Sequence, residues 1–131
     1  MTQQQGPRRP GFSTVTPYLI VDNAPALARF VAELFGAEEL DRTLDDDGRL
    51  RHASFRLGDS MIEMSSARAE WKARPGSLHV YWEDVDGCFR RALELGAESL
   101  HEPMTMDYGE YGAALEDPFG NHWYLARYLG D

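Results

Sequence analysis

The stretch Ala113-Ala114-Leu115-Glu116-Asp117-Pro118-Phe119-Gly120-Asn121-His122-Trp123-Tyr124-Leu125 decides the fold. Two apolar-aromatic runs flank Asp-Pro-Phe-Gly-Asn. Asp117 can turn onto its own backbone, Pro118 presets φ, and Gly120 or Asn121 tolerates positive φ. The pattern predicts a hairpin, Ala113 to Glu116 and His122 to Tyr128, whose second strand closes a sheet.

Upstream of this hairpin lies a Gly- and Tyr-rich loop, Met106 to Gly112, and before it a strand over Glu98 to Met104 interrupted by Pro103. Glu83-Asp84-Val85-Asp86 caps a helix with Val85, Phe89, Ala92, Leu93 and Leu95 on its apolar side, and Gly96 ends it. Asp84-Val85-Asp86 reads as that cap, not as a metal-binding pair. Ser77 to Trp82 is the strand before the helix.

The first half has the same order. Val15 to Val21 reads as a strand, with Pro17 placing it at an edge. Asp22 or Asn23 caps a helix with Pro25 in its first turn. Leu27, Phe30, Val31, Leu34 and Phe35 follow at helical spacing, and Gly36 stops it. Strands follow over Glu38 to Leu44, Leu50 to Leu57 and Ser60 to Ser65. Asp45-Asp46-Asp47-Gly48 is a solvated turn, because it lacks the alternating ligands and distal Glu of a calcium loop. Ala67 to Gly76 reads as a linker with one helical turn. Gly36-Ala37-Glu38 and Gly96-Ala97-Glu98 mark the same joint in both halves. The chain is therefore an internal duplication, with helices covering one face of two curved sheets and the other face lining a cleft.

The 131 residues suit a single domain able to bury a core. A disordered tail is expected over residues 1–12, and one domain over 13–131 made of modules 13–66 and 77–129. The net charge of −9 makes nucleic acid and anionic membrane poor partners. The single Cys88 excludes an internal disulfide framework and any multi-Cys metal site. No apolar run approaches the roughly 20 residues of a membrane span, and residues 1–10 lack the apolar stretch of a secretion signal, so a cytoplasmic location is expected. There is no phosphate-cradling Gly loop, nucleophile elbow or basic stripe.

The β-α-β-β-β order, given twice, resembles the vicinal-oxygen-chelate superfamily, the glyoxalase, bleomycin-resistance and dioxygenase group. The likeness covers Thr14 to Tyr128. Val15-Thr16-Pro17-Tyr18-Leu19, His52-Ala53, Leu57-Gly58-Asp59-Ser60-Met61, Glu83-Asp84-Val85-Asp86 and Asp117-Pro118-Phe119-Gly120 look like its PhnB-like branch. The resemblance implies an α+β fold of two βαβββ modules forming curved mixed sheets around a cleft. It fixes no substrate, since sites are grafted on folds.

In that superfamily the metal ligands are typically a His on the first strand and a Glu on the last strand of each module. Carried over by counting, these positions hold Thr16 and Ser77 on the first strands, and Glu63 and Tyr124 on the last. One of the four carries a ligating side chain, so no cofactor is expected, with a divalent metal as the alternative. His79 lies two residues after Ser77, on the same strand face. It could join Glu63 in a displaced site, or simply hydrogen-bond to Glu63. His122 shares a face with Tyr124, and Thr16 with Tyr18. His52 has no assigned face. Tyr108 and Tyr111 suit a loop over the cleft mouth, and Trp82 an aromatic wall. Trp123 alternates away from Tyr124 into the core.

The expected ligand-binding set is therefore Thr16, Tyr18, Glu63, Ser77, His79, Tyr108, Tyr111, His122 and Tyr124. Glu63, His79 and Tyr124 are the catalytic candidates should there be a reaction. Three functions compete: metal-free binding of a small organic molecule; a lyase, isomerase or dioxygenase; and a vestigial site in a dimeric interaction protein. A homodimer is expected, because superfamily modules often share sites across chains and open sheets leave edges that need cover.

Overall fold

The computed structural model describes residues 6–130. Ten elements run β1 (Tyr18–Val21), α1 (Ala24–Phe35), β2 (Glu38–Leu44), β3 (Leu50–Leu57), β4 (Ser60–Ser66), β5 (Ser77–Tyr81), α2 (Val85–Glu94), β6 (Glu98–Thr105), β7 (Glu110–Glu116) and β8 (His122–Tyr128). They form two four-stranded sheets, ordered β1-β4-β3-β2 and β5-β8-β7-β6. In each, the first strand lies parallel to the last strand of its module and the rest are antiparallel. This is the expected α+β architecture of two βαβββ modules.

The duplication is exact in register at the site. Tyr18 lies opposite Glu63 in the first sheet, and His79 opposite Tyr124 in the second. Helix ends follow their local chemistry. Asn23 is the first cap, accepting from the Ala26 N–H at 3.2 Å, and Asp84 the second, accepting from Gly87 at 2.9 Å. Gly36 leaves α1 at φ 67°, a left-handed conformation that glycine adopts without steric cost.

One core joins the modules. Phe35, at the end of α1, packs against Trp82 and Trp123 of the second module with ring centroids 5.1 and 5.2 Å apart. Phe30 meets Phe119 of the last hairpin edge-on at 6.3 Å. Leu27, Met64, Leu115 and Trp123 are among the fully buried side chains. Each such apolar side chain contributes about 2–3 kcal/mol of transfer free energy.

The hairpin that decided the fold is tied by Asp117, which is 3% exposed. Its Oδ1 accepts from the N–H groups of Phe119 and Asn121, and its Oδ2 from the Asn121 amide and the Trp123 indole. Asn121 Oδ1 in turn accepts from the Gly76 N–H, fastening the linker to the hairpin.

Several boundaries differ from expectation. β1 begins at Tyr18 rather than Val15, although the Pro17 carbonyl still accepts from Glu63 N at 2.9 Å. The linker has no helical turn. It makes a tight reverse turn closed by the Arg68–Trp71 bridge, and Arg74 then bridges to Ile20. The Tyr-rich loop is shorter than residues 106–112, because Glu110, Tyr111 and Gly112 pair with Tyr128, Arg127 and Ala126 and start β7. Of the tail expected over residues 1–12, residues 1–5 lie outside the described residues, and Pro7 to Phe12 border a pocket on the first sheet.

Candidate functional site

Strand alternation puts one face of each sheet against a helix and leaves the other open. On the first sheet the open face carries Tyr18 from β1, Glu63 from β4, His52 and Ser54 from β3, and Asp41 from β2. Glu63 sits opposite Tyr18 on one side and Ser54 on the other. His52 Nε2 lies 2.8 Å from Glu63 Oε1, and its Nδ1 is 3.7 Å from Asp41 Oδ1. An ionised carboxylate can only accept, so His52 holds its proton on Nε2 toward Glu63. The Tyr18 ring stands 5.9 Å from the imidazole.

A pocket of about 520 Å³ lies over this face, walled by Pro7 to Thr14 on one side and by Thr16, His52, Ser54 and Glu63 on the other. Arg9 pairs with Asp41 and stacks over Phe12 at 5.7 Å. Ser54 Oγ and Asp41 Oδ1 are buried without a hydrogen-bond partner among the described residues. Buried polar atoms of this kind are uncommon, and here two lie together.

On the second sheet, Ser77, His79 and Tyr81 of β5 share the open face with His122 and Tyr124 of β8 and with Glu110 and Glu116 of β7. Register sets three rows: Ser77–His122–Glu116, His79–Tyr124–Ala114 and Tyr81–Ala126–Gly112. His122 Nε2 is 3.1 Å from Glu116 Oε1. The Glu110 side chain, 10% exposed, reaches across the bare floor of Gly112 and Ala126. There it accepts from the Tyr81 hydroxyl at 2.7 Å and meets His79 Nε2 at 3.3 Å. The hydrogen bond to Glu110 is the main cause that raises the Tyr81 phenol above its ordinary value of 10.0, with desolvation and the carboxylate charge adding. A groove of about 450 Å³ runs along the outer edge of β5, lined by Ser77, His79 and Tyr81, by Val15 to Pro17, and by Asp59 to Ile62.

The expected residues are thus partly gathered. Thr16 lies where the two hollows meet, Glu63 lines the first, and Ser77 and His79 line the second. Tyr18 stands beside His52, and Tyr124 and His122 beside Ser77 and His79 in the sheet. Tyr108 is an exposed turn residue outside both linings. Tyr111 is corrected: alternation in β7 turns it to the helix side, where its hydroxyl donates to Asp86 of α2 at 2.6 Å. That bond is the main cause raising its phenol above the ordinary value. A His79–Glu63 hydrogen bond is also corrected. Each finds a partner within its own sheet, Glu110 for His79 and His52 for Glu63. Trp82 packs on Phe35 and borders the groove from the core side.

Glu110, Tyr81 and Asp41 went unnoticed in the sequence. Counting back from the hairpin places Glu110 opposite Tyr128, on the face of Tyr124. That signal was available once the hairpin was accepted.

The superfamily's metal positions do not fit an ion here. Thr16, Ser77 and Tyr124 are poor ligands, Glu63 is engaged by His52, and no group of three His, Cys, Asp or Glu side chains converges among the described residues.

Residues 11–125 match the family described as the Glyoxalase/Bleomycin resistance protein/Dioxygenase superfamily. The chain belongs to that superfamily. An uncharacterized protein of Mycobacterium bovis is 32% identical over 124 residues, spanning 86% of this chain and 82% of that relative. One from Mycobacterium tuberculosis is equally identical over the same length, spanning 73% of its own. Among solved structures, TioX from Micromonospora sp. ML1 is similar with a TM-score of 0.73 at 20% identity, covering 89% of this chain and 99% of that one. A Bacillus cereus protein described as a putative 3-demethylubiquinone-9 3-methyltransferase, PhnB protein, gives 0.68 at 18%, covering 88% and 99%. The fosfomycin resistance protein FosX of Mesorhizobium loti gives 0.66 at 15%, covering 91% and 92%. At these identities the superfamily's structures share the fold with this chain, and nothing finer follows.

Proposed function

We propose that this superfamily member binds a small organic molecule on the open faces of its sheets without the metal of its metal-dependent relatives. One observation carries the reading: the position that could ligate, Glu63, is hydrogen-bonded to His52 under a hollow of about 520 Å³, beside two unpartnered buried oxygens. A ligand with both a donor and an acceptor can engage Asp41 Oδ1 and Ser54 Oγ while its apolar part covers Tyr18 and Phe12. Aromatic burial then supplies affinity, and the polar contacts fix orientation. Thr16, Ser77, His79, His122 and Tyr124 extend this lining toward the second sheet.

The experiment is metal analysis of purified protein alongside a broad thermal-shift screen. A ligand that binds only the native chain raises its stability. The expected result is a saturable organic ligand and no stoichiometric ion. An ion lost in Glu63→Ala overturns the metal-free reading. The absence of any saturable ligand overturns binding itself and favours a vestigial site.

A second reading, an acid–base lyase or isomerase, is favoured by the His52–Glu63 and His79–Glu110 pairs. A carboxylate that holds one ring nitrogen leaves the other free to take a proton. Turnover of a bound ligand distinguishes it from sequestration.

We also propose a homodimer. Tyr18, Tyr81, Tyr124 and Tyr128 are exposed on or beside the open faces of a single chain, and the outer edge of β5 has no strand paired to it among the described residues. A cytoplasmic location remains part of the proposal. Among the described residues no helix is long and apolar enough to cross a membrane.

A further inference from the structure

We infer that His79, Tyr81 and Glu110 form a recognition site for an organic cation bearing N–H donors, an ammonium or amidinium group beside an apolar ring. The inference rests on the ligand-binding reading above and names the chemistry taken by its second-sheet half.

The second sheet holds one carboxylate almost out of solvent. Glu110 is 8% exposed, yet no Lys or Arg pairs with it among the described residues. Its partners are Tyr81, 63% exposed, and His79, both opening to solvent. A buried charge without a cationic partner is costly, and sheets normally avoid one. Here the floor is built to admit it. A Cβ at Gly112 would stand 2.9 Å from the Leu125 carbonyl oxygen, so the position is held bare by backbone, and Ala126 adds only a methyl group. Glu110 crosses that gap to reach β5.

The hydrogen bonds fix what the site shows to a ligand. Tyr81 gives its proton to Glu110, so its oxygen offers lone pairs outward. His79 turns Nε2–H to Glu110, so Nδ1 is the free acceptor. The two rings meet edge-on with centroids 4.8 Å apart, so both side chains present their acceptors around the same carboxylate. Two acceptors above a buried negative charge suit a positively charged group with two N–H donors. They repel a carboxylate, and a neutral alcohol gains nothing from the charge. The Tyr124 ring beside His79 gives the ligand's apolar part a surface.

The test uses the full chain with benzylamine and benzamidine as probes, and benzyl alcohol and benzoate as neutral and anionic counterparts. Calorimetry gives affinity, and NMR of the imidazole rings follows His79 separately from His122. The expected result is binding of the two cations only, with the His79 and Tyr81 signals shifted by the ligand. Glu110→Gln keeps the shape and removes the charge, and is expected to weaken the cations about tenfold or more. Glu94→Gln, the same charge change on the outer surface of α2, is expected to leave them unchanged. Should Glu110→Gln fail to fold, Tyr81→Phe replaces it, with a smaller weakening and an unshifted alcohol baseline expected. Equal binding of benzylamine and benzyl alcohol, or cation affinity indifferent to Glu110→Gln, overturns the inference. If the broad screen finds ligands while these cations show no preference, this inference fails and the binding reading stands. If the screen finds nothing, both fall.

Discussion

The Trp123 indole nitrogen donates to Asp117 Oδ2 at 2.8 Å in a hairpin where the two residues are 0% and 3% exposed. The pair joins the core layer to the turn that ends it. Replacing Asp117 by Ala strands the indole, the Asn121 amide and two backbone N–H groups without their acceptor. The expected cost is about 3–5 kcal/mol, read from urea unfolding. Asp117→Asn keeps the shape but not the all-acceptor carboxylate, and is expected to cost less.

Phe35 bridges the modules through Trp82 and Trp123. Phe35→Ala is expected to cost about 3–5 kcal/mol and to lower a single melting transition, seen identically by tryptophan fluorescence and far-ultraviolet dichroism. Two separated transitions would show that the modules fold independently.

Gly112 leaves no room for a methyl group beneath the Leu125 carbonyl oxygen. Gly112→Ala is expected to cost about 1–3 kcal/mol by overpacking and to disturb the His79 ring signals, because Glu110 crosses above it. A fully stable variant with an unshifted His79 would mean that the strands part freely there.

Cys88 is buried in α2, and that burial, with Asp84 adding, pushes its thiol from 9.0 up to about 12. The native chain should therefore resist a thiol-specific reagent at pH 8 and react fully in denaturant. The sign of the pH effect follows. The folded value lies above the unfolded one, so the contribution to stability is whole below about pH 9 and is lost as pH rises toward 12. Tyr81 and Tyr111, both raised above 10.0, act in the same direction. Denaturant midpoints should hold from pH 8 to about 9 and fall from there to pH 11.

The sequence was most legible where structure is decided within a few residues. Asn23 with Pro25, Asp84 with Gly87, Gly36 after Phe35 and the Asp117 turn are local chemistry, and the elements they bound lie where expected. Legibility failed where partners are distant. Tyr108-Gly109-Glu110-Tyr111 reads as a loop until Tyr128 and Arg127 are known to lie opposite its second half. The linker does turn once, but as a tight reverse turn between Arg68 and Trp71 rather than a helical one, and Ile20 draws Arg74 into a bridge. Glu110 and His79 lie 31 residues apart in the chain, and only the glycine floor between them makes their meeting possible. Of the counted positions, Glu63, Ser77 and Tyr124 lie in strands and Thr16 just before β1, yet counting could not show that His52 and His79 would each find a carboxylate inside their own sheet.

The strand order of the second sheet has a consequence for synthesis. β8 follows β5, β6 and β7 in the chain, yet it lies inside the sheet, between β5 and β7. A nascent chain still short of His122 has no template on which β5 can settle, and the linker's Gly76 has no Asn121 to hold it. The second sheet therefore cannot close during synthesis until β8 has emerged. A stop just before residue 122 would release a chain that lacks Trp123 and leaves Phe35 without one of its two indole partners, a substrate for quality control rather than a shorter working protein.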